Sequence, residues 1–477
     1  MAAVPNQIML ITYPDSLGGN LSALQTALST WFIGAAGSLH ILPFFPSNGD
    51  RGFSPITYDR VEAAFGNFAD IEALSRQYFL LCDFMVNHIS SQSAEFLDYV
   101  QNGDASAYAE MFIDYDAFFE GGSQPEELSR LYRRSDKPLY VPVRFADGTV
   151  KNLWCSFSNN QIDIDTNRAV TRRYLMDNLR NLHRHGLSMV RLDAYGYITK
   201  IRGTNCFFVE PDIWDLIQDL ERMLGNMGMT LLPEVHDRYE TALKIAQRGY
   251  YTYDFVLPLL MLHSIYSASG KEMKHWFAIC PENQFTVLDT HDGIGVYDAD
   301  GILSREQAAE VIQWIEPNLS YTFKPMDMSR RKHYKSYQLY CTYYSALNED
   351  DEAYLMARAI QFFAPGIPQV YYVGMLAGAN DLSFVLGEDH RFINRHNYTI
   401  EELAEEVRRP VVQRLMEMMR LRNTHPGFSG KLQIMDSPDH LIHLVREHEG
   451  KKVELLADLK QRSFELQFSD KSSMVIF

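Results

Sequence analysis

The chain has 477 residues, of which 46% are hydrophobic and 22% charged; these are the proportions of a folded globular protein and exclude a disordered, collagen-like or low-complexity polypeptide. Lys and Arg number 44 against 61 Asp and Glu, a formal charge of −17, so the overall field repels nucleic acid and anionic lipid, and an anionic ligand needs a local basic site. The longest apolar runs, such as Phe255 to Leu262, are far too short to span a membrane.

Short apolar, β-rich segments recur in chain order at Ile8 to Thr12, Leu39 to Leu42, Phe79 to Val86, Ser188 to Leu192, Thr230 to Val235, Tyr253 to Leu257, Phe285 to Leu288 and Ile367 to Tyr372. Between many of them the apolar spacing is helical, as in Val170 to His185 and Pro211 to Met227. Such alternation predicts a parallel sheet covered by helices. Eight units suit an α/β fold of the (β/α)8 TIM-barrel type; a doubly wound open sheet is the alternative, but no G-x-G-x-x-G follows the first strand. The barrel is expected to use residues 1–86, 168–293 and 353–426. Residues 87–167, after strand 3, and 294–352, after strand 7, are too long for ordinary loops and read as inserted subdomains. Both follow strands, which places them on the C-terminal face, where barrels build their sites. Alternation in Leu441-Ile442-His443-Leu444-Val445 makes residues 427–477 a small C-terminal β domain.

Cys82, Cys155, Cys206, Cys280 and Cys341 are odd in number and form no C-x-x-C pair, so neither a zinc site nor a disulfide framework is expected. A reducing compartment fits this usage, and with no basic leader at the N-terminus a cytoplasmic location is expected.

Acidic residues stand where predicted strands stop: Asp83, Asp193, Glu234 and Asp292. Any one of them is equally well read as a helix cap. Together, with Arg191 two residues before Asp193, they describe a rim that holds a neutral polyhydroxyl ligand and stabilises a developing cation.

Asp83-Phe84-Met85-Val86-Asn87-His88, Arg191-Leu192-Asp193-Ala194, Glu234-Val235-His236 and Thr290-His291-Asp292 resemble, in order, the four motifs of the α-amylase family. Thr12 to Gly18, Thr286 to Val296, Pro365 to Gly374 and Ile393-Asn394-Arg395-His396 resemble the sucrose phosphorylase branch of that family. The resemblance implies retaining transfer of glucose to phosphate, with Asp193 as nucleophile, Glu234 as general acid/base and Asp292 as stabiliser of the oxocarbenium-like transition state. The residue types agree, since a retaining enzyme needs one ionised and one protonated carboxyl about 5 to 5.5 Å apart. Arg191 favours the ionised nucleophile, and Leu231, Leu232 and Pro233 before Glu234 lead us to expect an apolar setting that keeps its proton.

For the glucose site the resemblance implies Asp50, Phe53, His88, Gln161, His291 and Arg395, with Phe157, Arg191, Tyr197 and His236 beside them. His88 and His291 taken singly also read as structural histidines, and Phe157 as core. On the acceptor side, Arg330-Arg331-Lys332-His333-Tyr334-Lys335 gathers cations in a chain of net negative charge, and Arg133, Arg134 and Lys137 add more. Arg133, Arg134, Arg331, Lys332, His333, Lys335, Tyr337 and Gln338 form the expected acceptor and phosphate set. Ser135 stands where several members of the branch carry arginine.

A charge run is otherwise a solvated loop, but overhanging a pocket it binds phosphate. More cations than one inorganic phosphate needs imply a leaving group with its own phosphate: sucrose 6'-phosphate, releasing fructose 6-phosphate. Sucrose, glucosylglycerol and glucosylglycerate are the alternative donors. A non-catalytic sugar-binding barrel is the alternative of another class, against which stand all three carboxylates. The expected partners are a sugar and inorganic phosphate, with no nucleic acid or membrane, and no metal or cofactor is expected.

Overall fold

Strands of a parallel sheet are covered on both faces, so short runs of Val, Ile, Leu and aromatic residues become buried staves. The computed structural model describes residues 4–133, 137–225, 227–319, 338–383, 390–470 and 473–476. Eight strands, β1 (Met9–Thr12), β2 (Ser38–Ile41), β3 (Phe79–Met85), β4 (Met189–Asp193), β5 (Thr230–Pro233), β6 (Thr252–Asp254), β7 (Gln284–Thr286) and β8 (Ile367–Tyr371), are buried at nearly every position. They form one sheet in the order β6-β7-β8-β1-β2-β3-β4-β5, the cyclic chain order of a (β/α)8 barrel. By contacts the chain falls into two compact units. One comprises Met1–Val4, Asn20–Ser22 and Ile41–Val235; the other comprises Pro5–Gly19, Ala23–His40 and His236–Phe477.

In the first unit the helix Ala169–Arg184 buries Thr171, Leu175, Met176, Leu179 and Leu182, and Ile213–Leu224 buries Ile213, Trp214, Leu216, Ile217, Leu220 and Leu224. This three-and-four spacing is what the sequence shows at both places. The insertion after β3 is opened and closed by an antiparallel pair, His88–Ser90 with Gln161–Asp163. Its own apolar cluster gathers Tyr115, Phe119, Leu131, Leu139 and Trp154 with Cys206.

In the second unit β6 ends earlier than the apolar run predicts. Asp254 Oδ1 accepts the Leu257 N–H at 3.0 Å, and the helix Leu257–Ser267 starts there with a proline in its first turn. Burial pushes the Asp254 carboxyl up to about 7, against hydrogen bonds from Trp276, Leu257 and Val256 that favour its charge. A carboxyl raised in the folded state makes folding less favourable as pH climbs from the unfolded value of about 4 to the folded one. At about 1.4 kcal/mol per unit, the loss reaches roughly 4 kcal/mol above pH 7. Thermal unfolding is therefore expected to show a fall in Tm between about pH 4 and pH 7 that Asp254→Asn largely removes; an equally steep fall in the variant would refute this.

Beyond β7, Ile294–Gly295 pairs with Gln338–Leu339, and the helix Arg305–Ile315 starts from a Ser304/Gln307 capping box. The C-terminal residues form a five-stranded antiparallel sheet, Leu432–Ile434, Leu441–His448, Lys451–Asp458, Ser463–Asp470 and Ser473–Ile476. Ile442 and Leu444 on one strand and Val453, Leu455 and Ala457 on the next are fully buried, as the alternation predicts. His448 pairs with Lys451 across a two-residue turn; Glu449 and Gly450 both have positive φ, 51° and 76°, which the twist of a tight hairpin requires.

Candidate active site

Side chains alternate along a strand, so Arg191 and Asp193 project from the same face of β4. The β3–β4 register places Asp83 opposite Arg191, which brings a third charged group to that face. Asp83 is therefore inside its strand, not at its end as the sequence reading has it. Its charge is tolerated there because the Arg191 guanidinium bonds to it directly. Arg191 also donates to Asp193 Oδ1 at 2.9 Å and lies 3.4 Å from Glu234 Oε1. With a side chain 4% exposed, this one guanidinium serves three carboxylates.

Glu234 follows β5 directly, and its backbone N–H bonds to the Leu192 carbonyl at 3.1 Å, level with the end of β4. The chain turns sharply after the nucleophile candidate, with Ala194 in the left-handed region at φ 54°. That turn aims the Ala194 N–H at Glu234 Oε2, 2.9 Å away. Both oxygens of Glu234 thus face donors. The expected apolar setting is not what surrounds it, because Leu231, Leu232 and Pro233 belong to the buried strand before it. Asp193 and Glu234 are two carboxyls at adjacent strand ends tied to a single cation.

The residues of the first unit expected on the sugar side contact one another. The Phe53 carbonyl accepts the Gln161 Nε2–H at 2.8 Å and lies 3.0 Å from His88 Nε2. Burial holds the His88 ring below its ordinary pKa, opposed by the Asp163 charge and the Phe53 carbonyl. Phe157 packs edge-on between His88 and Tyr197, with ring centroids 5.3 and 4.9 Å apart; it is half-buried and packs against the buried cluster of Tyr132, Ala194, Tyr197 and Phe207. The Arg191 guanidinium stands 5.9 Å from the Phe53 ring centroid. Asp50, half-buried, occupies a positive-φ turn with Arg51, at 42° and 43°, a conformation seldom held without a packing reason.

The second unit carries its own constellation. His291 is buried, its ring 6.3 Å and edge-on from Tyr13, and its Nε2 lies 3.5 Å from Asp292 Oδ2. Arg395 donates twice to the His291 carbonyl, at 2.8 and 2.7 Å, and its Nη2 is 3.7 Å from Asp292 Oδ1. Arg391 stands 3.5 Å from the same oxygen. Asn394 Nδ2 reaches the carbonyls of Thr290 and Asp292, fixing the backbone of the motif. His236 bonds through Nδ1 to Asp298 at 3.2 Å and stacks on Phe255 at 4.0 Å.

Sequence reading missed Asp83 as Arg191's partner, and missed Arg391 and Asp298; register or tertiary contact, not local pattern, brings each to its place. Arg133 is half-buried and its charge reaches Tyr115 in the first insertion. Gln338 is half-buried, pairs with Gly295 and accepts the Tyr340 hydroxyl at 3.3 Å. Arg134, Ser135, Arg331, Lys332, His333, Lys335 and Tyr337 lie outside the described residues. Among the described residues no group of His, Cys, Asp or Glu is arranged to hold a metal ion, and no helix is long and apolar enough to cross a membrane.

The catalytic domain of the α-amylase family matches residues 33–286. A sucrose phosphorylase of Streptococcus mutans is 42% identical over 93% of this chain and 93% of its own. A sucrose 6(F)-phosphate phosphorylase of Thermoanaerobacterium thermosaccharolyticum is 42% identical over 96% of both chains. The crystal structure of a sucrose 6F-phosphate phosphorylase from Thermoanaerobacter thermosaccharolyticum superposes with a TM-score of 0.95 at 40% identity, covering 100% of this chain and 99% of that one. Likeness of this extent settles the kinship: the chain belongs to the α-amylase family, in the branch that holds the sucrose and sucrose 6(F)-phosphate phosphorylases.

Proposed function

We propose that the protein is a retaining glycoside phosphorylase that carries glucose from sucrose 6'-phosphate to inorganic phosphate, giving α-D-glucose 1-phosphate and D-fructose 6-phosphate. Asp193 attacks the anomeric carbon while Glu234 gives its proton to the departing fructosyl oxygen, leaving a β-glucosyl ester on Asp193. Phosphate then opens that ester from the opposite face and restores the α configuration. Asp292, assigned through its motif, stabilises the cationic sugar, and Asp50, Phe53, His88, Gln161, His291 and Arg395 bind the glucose hydroxyls and ring. The observation that carries the reading is the pairing of Asp193 and Glu234, at adjacent strand ends, on the single buried guanidinium of Arg191.

Phosphorolysis followed by anomer-resolved NMR tests the reaction. At saturating phosphate, α-glucose 1-phosphate should dominate. Predominant free glucose would mean a hydrolase, and β-glucose 1-phosphate would mean an inverting mechanism, which has no covalent glucosyl intermediate. Sucrose, sucrose 6'-phosphate and glucosylglycerol offered side by side decide the donor.

The phosphorylated donor is favoured by the cations that the sequence gathers in the two insertions. A phosphate held by two or three shielded cations gains about 1.5 to 3 kcal/mol per charge-assisted bond, and free fructose leaves those cations unused. Arg134→Ala combined with His333→Ala is expected to lower kcat/KM for sucrose 6'-phosphate roughly tenfold to a hundredfold more than for sucrose, with added salt weakening the phosphorylated donor selectively. Equal losses on the two donors, or a wild type that prefers sucrose, would leave the basic loop a solvated surface and return the donor to plain sucrose.

A further inference from the structure

We propose that Lys200 is a positioning residue for the glucosyl pocket, its ammonium tying the strand pair that carries His88 and Gln161 to the turn that follows Asp193. The inference rests on the phosphorylase reading above and adds to it a residue that touches no substrate.

Lys200 lies in Tyr197-Ile198-Thr199-Lys200, seven residues after Asp193, where a lone lysine ordinarily reaches into water. Here its side chain is 4% exposed. Nζ stands 2.6 Å from Asp163 Oδ2, 2.5 Å from Asn87 Oδ1 and 2.6 Å from the Tyr197 carbonyl. An ammonium has three N–H donors, and three oxygens surround this one. Each comes from a different segment. Asn87 follows β3, Asp163 closes the Gln161–Asp163 strand, and Tyr197 belongs to the turn after the nucleophile.

Those three segments carry the wall of the sugar pocket. Asp163 pairs with His88, and Gln161 with Ser90, across the antiparallel ladder. Asp163 also accepts the Ser156 N–H at 2.9 Å and its hydroxyl at 2.5 Å, which fixes the start of the Phe157 turn. Phe157 in turn fills the space between the His88 and Tyr197 rings. Without the ammonium, the ladder and the post-nucleophile turn would present carboxylate, amide oxygen and carbonyl to one another with no donor between them. A buried acceptor cluster of that kind separates or admits water, and either response moves His88, Gln161, Phe157 and Tyr197 away from one another. Lys200 so placed sets glucose recognition without touching glucose, and its effect belongs to the glucosyl side alone.

Lys200→Met is the direct test, but it strands the Asp163 charge. The double variant Lys200→Met/Asp163→Asn removes both charges and keeps an amide oxygen for the Ser156 N–H. The donor is α-glucosyl fluoride, whose leaving group needs neither the acceptor loop nor a specific acceptor, and the competing probe is 1-deoxynojirimycin. All constants are measured well below each variant's Tm and scaled to active sites titrated by burst. In the double variant kcat/KM for the fluoride is expected to fall at least a hundredfold and the inhibition constant of deoxynojirimycin to rise at least tenfold. The phosphate concentration giving half-maximal deglucosylation should stay within about twofold. A double variant with wild-type fluoride kinetics would overturn the proposal, as would a phosphate requirement that rises in step with the loss on the fluoride, which is the mark of general loosening. A wild type that does not turn over α-glucosyl fluoride at all would overturn the phosphorylase reading itself, and this inference with it.

Discussion

Asp193→Asn should abolish turnover of every glucosyl donor, with a loss on the order of 10⁴-fold or more, because an amide cannot form the ester on which a retaining reaction depends. The substitution is close to isosteric, and the Arg191 donor that lies 2.9 Å from Asp193 Oδ1 still finds an amide oxygen there. A folded, sugar-binding but inert protein is the expected product. Glu234→Gln should behave differently. It removes the proton donor while leaving the nucleophile, so donors with activated leaving groups still glucosylate Asp193, and donors with a sugar leaving group react slowly. Mass spectrometry on the Glu234 variant with α-glucosyl fluoride should show one added glucosyl unit, on a peptide that contains Asp193. Near-normal phosphorolysis by the Asp193 variant, or a glucosyl unit mapped to a peptide without Asp193, would remove the nucleophile assignment.

The barrel was legible in sequence for a definite reason. Strands of a covered parallel sheet are continuous apolar runs, and turn residues and amphipathic helices bound them, so local pattern carries their position. The same rule misplaces Asp83. A charge in an apolar run reads as a terminator, and only the β3–β4 register, which sets Asp83 against Arg191, explains how it is kept inside. The end of β6 is blurred by the opposite effect, since Phe255 to Leu262 continues the apolar run into a helix that Asp254 caps. At the proposed site, Asp193, Glu234 and Asp292 are assigned through motifs, because chemistry restricts their residue types and the family their order. Lys200, Arg391 and Asp298 are not, because each acts through partners brought near by folding. No spacing in the chain records that Asn87, Asp163 and Tyr197 meet at one ammonium.

Arg191 offers the sharpest test of the charge balance on which the chemistry rests. Its side chain is 4% exposed, and Asp83 opposite it is fully buried, so removing the guanidinium strands carboxylates where water does not reach. Breaking a buried pair in this way costs about 3 to 5 kcal/mol, and here one cation is shared by Asp83, Asp193 and Glu234. In Arg191→Met the loss should depend on pH. With no cation beside it, a carboxylate as deeply buried as Asp83 favours its neutral form in the folded chain. A group shifted in that direction destabilises the folded chain increasingly as pH rises through the interval between the two values. The gap in Tm between wild type and variant should therefore be small near pH 4 and widest at neutral pH. Catalysis should move the same way. The proposed nucleophile attacks as a carboxylate, so the acid limb of kcat/KM in the variant should shift upward, on top of a loss on the order of 10³-fold. Arg191→Lys restores a charge but not a fork able to reach three carboxylates, and should recover stability more fully than rate. A gap in Tm that does not vary with pH, together with an acid limb left where it stands in the wild type, would show that Arg191 acts by packing alone.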